Sequence, residues 1–413
     1  MAAVSVPAQL RRRTPSPQPE GLGLRIAVPN LEGRFWTVGP IHFQGLLRAI
    51  RDTYADQVGL FAFGAALDGI GGRGLPVDAD GAVPYRYPRR WSASWAENWM
   101  SRHLRARDVS MERALASCGV DALLCTGLSC GYGRIASIWW VPDFQHLHLP
   151  DMFDAEDRAA RDALYSRSSR VATRIVTMTE SVRRDFEAFA PDQAWKVRVL
   201  RPVSQVDDEV YGLDPARVAS RYHLPDKFVY LPNQFWKHKN HELVLQAIAR
   251  LKSQRIDVHL VCTGNLIDYR HPAQASELFH KISSWGLRNQ VAYLGLLQRD
   301  DVLALIRQSV CVVNPSLFEG WGYSVDEARS VGKQVLLSDI PAHREQDPPG
   351  ATFFDPRDVE DLTSKLAEIW QRSGPGPDRQ LEAGARHTLP QRRRAYAEQF
   401  VAIAREAIAD ARA

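Results

Sequence analysis

The chain has no apolar run long enough to cross a bilayer. Nothing in it approaches the roughly 18 to 20 uncharged residues that a spanning helix needs, and the opening MAAVSVPAQLRRRTPSPQPEG carries basic residues without the apolar core of a secretory signal. Cysteine is scarce. Cys118, Cys125, Cys130, Cys262 and Cys311 show no C-x-x-C spacing and sit mostly in apolar runs, so they read as small hydrophobes and a reducing cytoplasm is the expected location. A charge excess of one sign is also missing. The 52 Lys and Arg against 48 Asp and Glu leave +4, too mild for a nucleic-acid surface but compatible with an acidic phosphorylated ligand or a slightly anionic membrane. Internal repeats and low-complexity tracts are absent beyond residues 1–21, which read as a disordered tail.

What is present is globular material. At 413 residues and 45% hydrophobic content, the chain is long enough for two cores. From residue 22, short apolar runs (LRIAVPN, VGLFAFG, DALLCTG, SIWWVPD, RIVTMT, KVRVLRP) alternate with amphipathic stretches, the pattern of a parallel sheet wound with helices. A stretch rich in proline and charge then reads as a linker over 202–227. A second alternating set follows over 228–385, beginning FVYLPN, DVHLVCTG, QVAYLG and VCVVNPS. The predicted architecture is α/β, with two Rossmann-like doubly wound domains (22–201 and 228–385) facing across a cleft, and a helix over 386–413 returning to the first domain. Tyr396, Phe400, Ile403 and Ile408 would form that helix's apolar stripe.

One stretch, SLFEGWGYSVDEA over 316–328, stands where a strand gives way to a helix. In open α/β sheets the ligand crevice lies at the carboxyl ends of the strands, where helix N-termini offer free N–H groups and a partial positive charge. Gly320 and Gly322 permit a sharp turn and a close approach. The amides of Gly322, Tyr323, Ser324 and Val325 are therefore the expected cradle for a diphosphate. Glu319 falls in the loop and Glu327 about one and a half turns into the helix, so one carboxylate would grip a sugar and the other a ribose.

This stretch resembles the E-x7-E signature of the retaining glycosyltransferases of family 4, the group 1 glycosyltransferases of GT-B architecture. The NPS before it and EARSVGKQVLLSD and IPAHREQ after it also match. A second matching segment is LPNQFWKHKNHELVLQAI, over 231–248, where the family clamps the donor diphosphate with an Arg and a Lys. Lys239 takes the Lys position, Gln234 stands at the Arg position, and Lys237 or an arginine from the other domain would supply the missing charge. A third begins WWVPDFQHLHLPDMF, at residue 139. Asp143 matches the family's Asp, Pro142 replaces its His, and His146 and His148 lie just downstream. Gly39, in the Gly-Pro after the first strand, would bring a helix start to the phosphates from the opposite side. Gly264 and Gly295, closing two strand candidates, complete the donor-binding set. The resemblance spans residues 24–370.

It implies a retaining hexosyltransferase that moves a sugar from a nucleotide-sugar donor to a glycan or lipid-linked acceptor. Bacterial polysaccharide, lipopolysaccharide or glycolipid assembly is the implied setting. The catalytic set would be Glu319, Lys239, Asp143 and His146. Neither metal nor cofactor is expected, nor a nucleic-acid partner; the enzyme would be cytoplasmic, with peripheral contact at the inner membrane face. Two alternatives use the same nucleotide domain: a sugar-nucleotide epimerase and a catalytically silent sugar-nucleotide-binding protein.

Two motifs fail on context. GIGGRG, over 69–74, matches G-x-G-x-x-G but is followed by LPVDADGAVP and not by a helical period. Asp78 and Asp80 match the D-x-D of metal-dependent sugar transferases but lie in the same loop. Trp91, Trp95 and Trp99 recur every four residues beside several arginines. A stripe packed on the sheet is the expected reading; a membrane interface or a lipid-carried acceptor is the alternative.

Overall fold

Twelve short apolar runs become strands, and each lies in one of two all-parallel sheets. The computed structural model describes residues 23–29, 38–63, 78–85 and 87–413. The tail reading over 1–21 and the GIGGRG loop lie outside them.

The first sheet contains β1 (Leu24–Pro29), β2 (Val58–Phe63), β3 (Gly81–Ala82), β4 (Ala122–Cys125), β5 (Ala136–Trp140), β6 (Arg174–Thr177) and β7 (Val197–Val199), in the order β3-β2-β1-β4-β5-β6-β7. The second contains β8 (Val229–Leu231), β9 (Leu260–Cys262), β10 (Val291–Tyr293), β11 (Val312–Asn314), β12 (Val335–Ser338) and β13 (Ala351–Phe354), in the order β10-β9-β8-β11-β12-β13. In both sheets the order reverses next to the first strand. Such a switch point opens a crevice at the carboxyl ends of the strands. Strands β4, β5, β6, β11 and β12 are buried at every residue, as sheets covered by helices on both faces require.

The last helix, Arg379–Arg412, starts earlier than the sequence reading placed it and runs through Pro390. Asp378 caps it, accepting from the amides of Gln380 and Leu381 at 3.1 and 2.9 Å. It packs on the helix Val38–Tyr54 and on β5, and also on the helix Tyr323–Val331 of the second domain. Tyr396, Phe400, Ile403 and Ile408 are buried along it. One continuous apolar cluster therefore includes Leu46 and Trp140 of the first domain, Phe400 of the last helix and Val325 of the second domain. Burying a Phe such as Phe400 contributes about 2–3 kcal/mol.

Two expectations are corrected or resolved here. The helix Ala93–Arg105 does form, but Trp91 and Trp99 are exposed and the helix's buried residue is Asn98, so the tryptophans do not pack on the sheet. Asp80 is structural: its carboxylate accepts from the Leu60 amide at 2.7 Å and pairs with Arg51 at 2.8 Å, fixing the short β3 edge. Among the described residues no helix is long and apolar enough to cross a membrane.

Candidate functional site

Strand β11 ends at Asn314, whose side chain organises everything after it. Its Oδ1 accepts from the Ser316 amide at 3.2 Å and faces the Ser316 hydroxyl at 2.7 Å, while its Nδ2 donates to Ser324 Oγ at 3.1 Å. Ser324 in turn donates to Asn233 Oδ1 at 3.0 Å, in the loop after β8. These polar groups are buried and linked in one chain of hydrogen bonds, and such networks hold one geometry.

The loop then turns across the cleft. A Cβ on Gly320 would lie 2.0 Å from the carbonyl oxygen of Pro142 and 3.2 Å from Asp143 Cβ, so only glycine permits this approach between the domains. Thr179 Oγ1 donates to the Gly320 carbonyl at 3.2 Å. Gly322 has φ of +92° and precedes the helix Tyr323–Val331, a conformation glycine adopts without a steric penalty. The first helical bonds run from the Val325 and Asp326 amides to the Gly322 carbonyl, at 3.1 and 3.3 Å. The Val325 amide is thus engaged, which narrows the expected cradle to the amides before it, at Gly322, Tyr323 and Ser324.

Glu319 and Lys239 meet. Lys239 Nζ is 2.6 Å from Glu319 Oε1, and the Ser316 hydroxyl lies 2.7 Å from the same oxygen. Burial alone would raise the Glu319 pKa; the charge of Lys239, reinforced by His343 only where acid protonates that ring, and the bonds from Lys239 and Ser316 outweigh it and bring the group below its ordinary value. It is a largely buried carboxylate held ionised by a half-buried cation. Glu327 receives Arg299 Nη1 at 2.6 Å through Oε1, yet burial dominates and its pKa is raised. The two acids of the signature therefore titrate in opposite directions.

The first domain meets this helix end directly. Gly39 is buried at the start of the helix Val38–Tyr54. One turn on, His42 Nδ1 lies 2.6 Å from the Tyr323 hydroxyl, with its ring stacked on Trp140 at 4.5 Å. Asp143 follows β5; its Oδ1 accepts from the Gln145 amide at 3.0 Å and lies 3.5 Å from Arg161 Nη1. Asp143 thus reaches the Gly320 loop. His146 does not. Its Nε2 is 3.1 Å from Asp162, and its ring is buried among Phe144, Phe153 and Tyr165, a position within the first domain's packing. His148 instead meets the Phe318 ring across the cleft, tilted with centroids 4.9 Å apart, and pairs with Asp185 at 2.9 Å.

Lys237 is exposed, and its amide donates to Asp268 Oδ2 at 2.9 Å. Gln234 is half-buried. Gly264 and Gly295 join where β9 and β10 end, the Gly264 amide donating to the Gly295 carbonyl at 2.9 Å. Two arginines meet at Phe153 of the first domain: Arg161 lies over its ring at 4.9 Å, and the Arg270 guanidinium stacks on it at 4.3 Å and on Trp236 at 4.6 Å. Sequence reasoning missed Arg161, Arg270, Arg299, His42 and His343. Arg299 carried a usable signal: it opens the helix Arg299–Gln308, an end where a cation is disfavoured unless an anion faces it.

His343 sits under the loop. The Ser338 hydroxyl donates to the Ser316 carbonyl at 2.6 Å, so His343 Nδ1 is the donor to the Ser338 carbonyl at 2.9 Å. Burial drives its pKa down to about 4, against the Glu319 charge. A neutral imidazole here supports the loop without competing with Lys239.

Residues 217–387 match the family Glycosyl transferases group 1. Over 227 residues the chain is 28% identical to a serotype-specific mannosyltransferase, WbdA, of Escherichia coli, covering 54% of this chain and 26% of that protein. Over 174 residues it is 25% identical to the O-antigen chain mannosyltransferase RfbU of Salmonella typhimurium, covering 40% of this chain and 47% of that one. The chain thus spans only part of the length of these curated relatives. Among solved structures, HepE of Anabaena, in complex with UDP and glucose, aligns over 92% of this chain and 97% of its own with a TM-score of 0.61 at 15% identity. With its two facing parallel sheets the chain has the GT-B fold.

Proposed function

From a second domain that matches the group 1 glycosyl transferases, we propose that the protein is a hexosyltransferase (EC 2.4) that moves a sugar from a nucleotide-sugar donor to a glycan or lipid-linked acceptor, with retention at the anomeric carbon. The observation that carries this reading is the half-buried Lys239–Glu319 pair together with the first amides of the helix Tyr323–Val331, which have no hydrogen-bond acceptor among the described residues. A diphosphate at those amides meets a partial positive charge and Lys239, which together stabilise the charge that develops as the leaving group departs. Glu319 then holds the donor sugar, and Glu327, oriented by Arg299, holds the ribose. Asp143 borders the sugar from the other domain, with Arg161 and Arg270 adding positive charge at that edge. The leaving phosphate takes the acceptor proton on the same face, as the resemblance implies, and the reading assigns no role to a metal.

Bacterial surface-polysaccharide assembly is the proposed setting, in the cytoplasm with peripheral contact at the inner membrane face. WbdA and RfbU are both named mannosyltransferases, and HepE is complexed with UDP and glucose, so mannose and glucose are the sugars to test first. A thermal-shift panel of UDP, GDP and dTDP identifies the base, because only a bound nucleotide raises the melting temperature. With the matching donor, nucleoside diphosphate release that depends on acceptor and persists in EDTA supports transfer. Release without acceptor, or a product epimerised in its absence, overturns it.

A further inference from the structure

The helix Ala93–Arg105 is built inside out. Its polar side chains hold it to the protein: Asn98 Oδ1 accepts from the Ser110 amide at 3.1 Å, Arg102 pairs with Asp108 at 2.9 Å, and Glu97 pairs with Arg113. Its apolar side chains face outward. Trp99 is 47% exposed, Met100 51% and Leu104 80%, and Trp91, just before the helix, is 77% exposed. The rings of Trp91, Trp95, Trp99 and His103 follow one another at 5.1, 6.4 and 4.3 Å, forming one continuous strip. A helix packed for water alone would turn these residues inward.

Charge selects the occupant. Arg89, Arg90 and Arg105 are exposed at the two ends of the strip and have no ion-pair partner among the described residues, whereas the nearby carboxylates Glu97 and Asp108, on the side of the helix that holds it to the protein, are already paired with Arg113 and Arg102. Met100 and Leu104 offer no hydrogen bonds, so a hydroxyl-rich glycan gains little from half the strip. Aromatic and aliphatic side chains flanked by unpaired arginines fit the boundary between acyl chains and anionic headgroups. We propose that this strip docks the protein on an anionic bilayer, with Trp91, Trp99, Met100 and Leu104 at the acyl boundary and Arg89, Arg90 and Arg105 on lipid phosphates. The presentation of a lipid-linked acceptor to the cleft rests on the transferase reading given above; the docking itself does not.

The test is co-sedimentation of the full chain with vesicles of phosphatidylcholine, with and without phosphatidylglycerol, in the absence of any sugar nucleotide. The expected result is binding to the anionic vesicles that weakens as salt is added. The triple variant Trp91→Ser, Trp99→Ser, Leu104→Ser should lower it at least about tenfold, and Arg89→Glu with Arg90→Glu should remove its dependence on anionic lipid. Circular dichroism establishes that the variants remain folded. No binding to anionic vesicles overturns the inference, as does binding that the triple variant leaves unchanged. A concentration-dependent dimer abolished by the triple variant would give the strip to a second copy, and retention by immobilised glycan but not by vesicles would give it to a sugar chain; both also overturn it. Because no donor is present, failure here leaves the nucleotide panel unaffected, and failure of the panel leaves vesicle binding standing.

Discussion

Lys239 and Glu319 hold each other in place, so removing either changes the other. In Lys239→Ala the Glu319 carboxylate loses the charge that most offsets its burial. Turnover should fall by about 10²–10³-fold, the loss typical of removing one donor to a developing anion. Glu327 behaves differently, because burial already raises its pKa. As pH falls, Glu327 takes up a proton before Glu319 does, and a protonated acid is the weaker acceptor for ribose hydroxyls. Donor affinity should therefore decline on acidification while the Glu319–Lys239 pair is still intact. Glu327→Gln should bind donor more weakly at neutral pH and show a flat response over the same range. The effect on stability has the opposite sign: a raised folded pKa means that the folded state binds this proton more tightly than the unfolded chain, so protonation of Glu327 stabilises the fold. Isothermal titration across pH separates the two, and unchanged affinity in Glu327→Gln would remove this residue from the donor site.

The loop between β11 and the helix Tyr323–Val331 depends on having no side chain at Gly320. Gly320→Ala must push the loop away from Pro142, at a cost of about 1–3 kcal/mol, and should reduce turnover more than nucleotide affinity because the diphosphate amides lie beyond it. Gly384→Ala is the contrast. Nothing lies within 4 Å of a Cβ there, so the change should stabilise the helix Arg379–Arg412 by about 0.5–1 kcal/mol. Elements of this kind differ in how legible they are. The strands were readable because each is a short apolar run, the central ones buried at every residue; β3 was not, since two residues, Gly81 and Ala82, carry no pattern. The sequence reading began the last helix at residue 386, but the structure begins it at Arg379, capped by Asp378, and local sequence does not reveal that Pro390 is tolerated in mid-helix by tertiary packing. Spacing put Trp91, Trp95 and Trp99 on one face without saying which way the face turns, because that depends on the partners of Asn98 and Arg102. Glu319, Glu327 and Lys239 were readable from motif and spacing. His42 was not, since it reaches Tyr323 from an element distant in sequence, and Arg299 was marked only by opening a helix, with nothing local to name Glu327 as its partner.

The apolar cluster that runs from Trp140 through Phe400 to Val325 joins the two domains into one core, so neither domain should unfold alone. Four buried histidines make that shared unfolding sensitive to acid. Burial lowers the pKa of His42 and His241 to about 3 and of His343 to about 4; His238 is also lowered well below its ordinary value, by burial and by the neighbouring charges of Lys239 and Arg270. In the unfolded chain each titrates near about 6.5. Below that value the unfolded state binds protons that the folded state refuses, so the stability these groups contribute is complete above about pH 6.5 and is lost progressively toward about pH 3 to 4. Each histidine contributes a slope of up to about 1.4 kcal/mol per pH unit, opposed in part by the proton that Glu327 gains. Urea titrations between about pH 7 and pH 5 should show a single transition whose midpoint falls steadily with pH. His42→Phe should retain the stack on Trp140, lose the bond to Tyr323, and so be less stable at neutral pH but less steeply destabilised by acid, by about one proton. Two separate transitions, or a slope that His42→Phe leaves unchanged, would show that the seam between the domains neither couples them nor carries this part of the acid response.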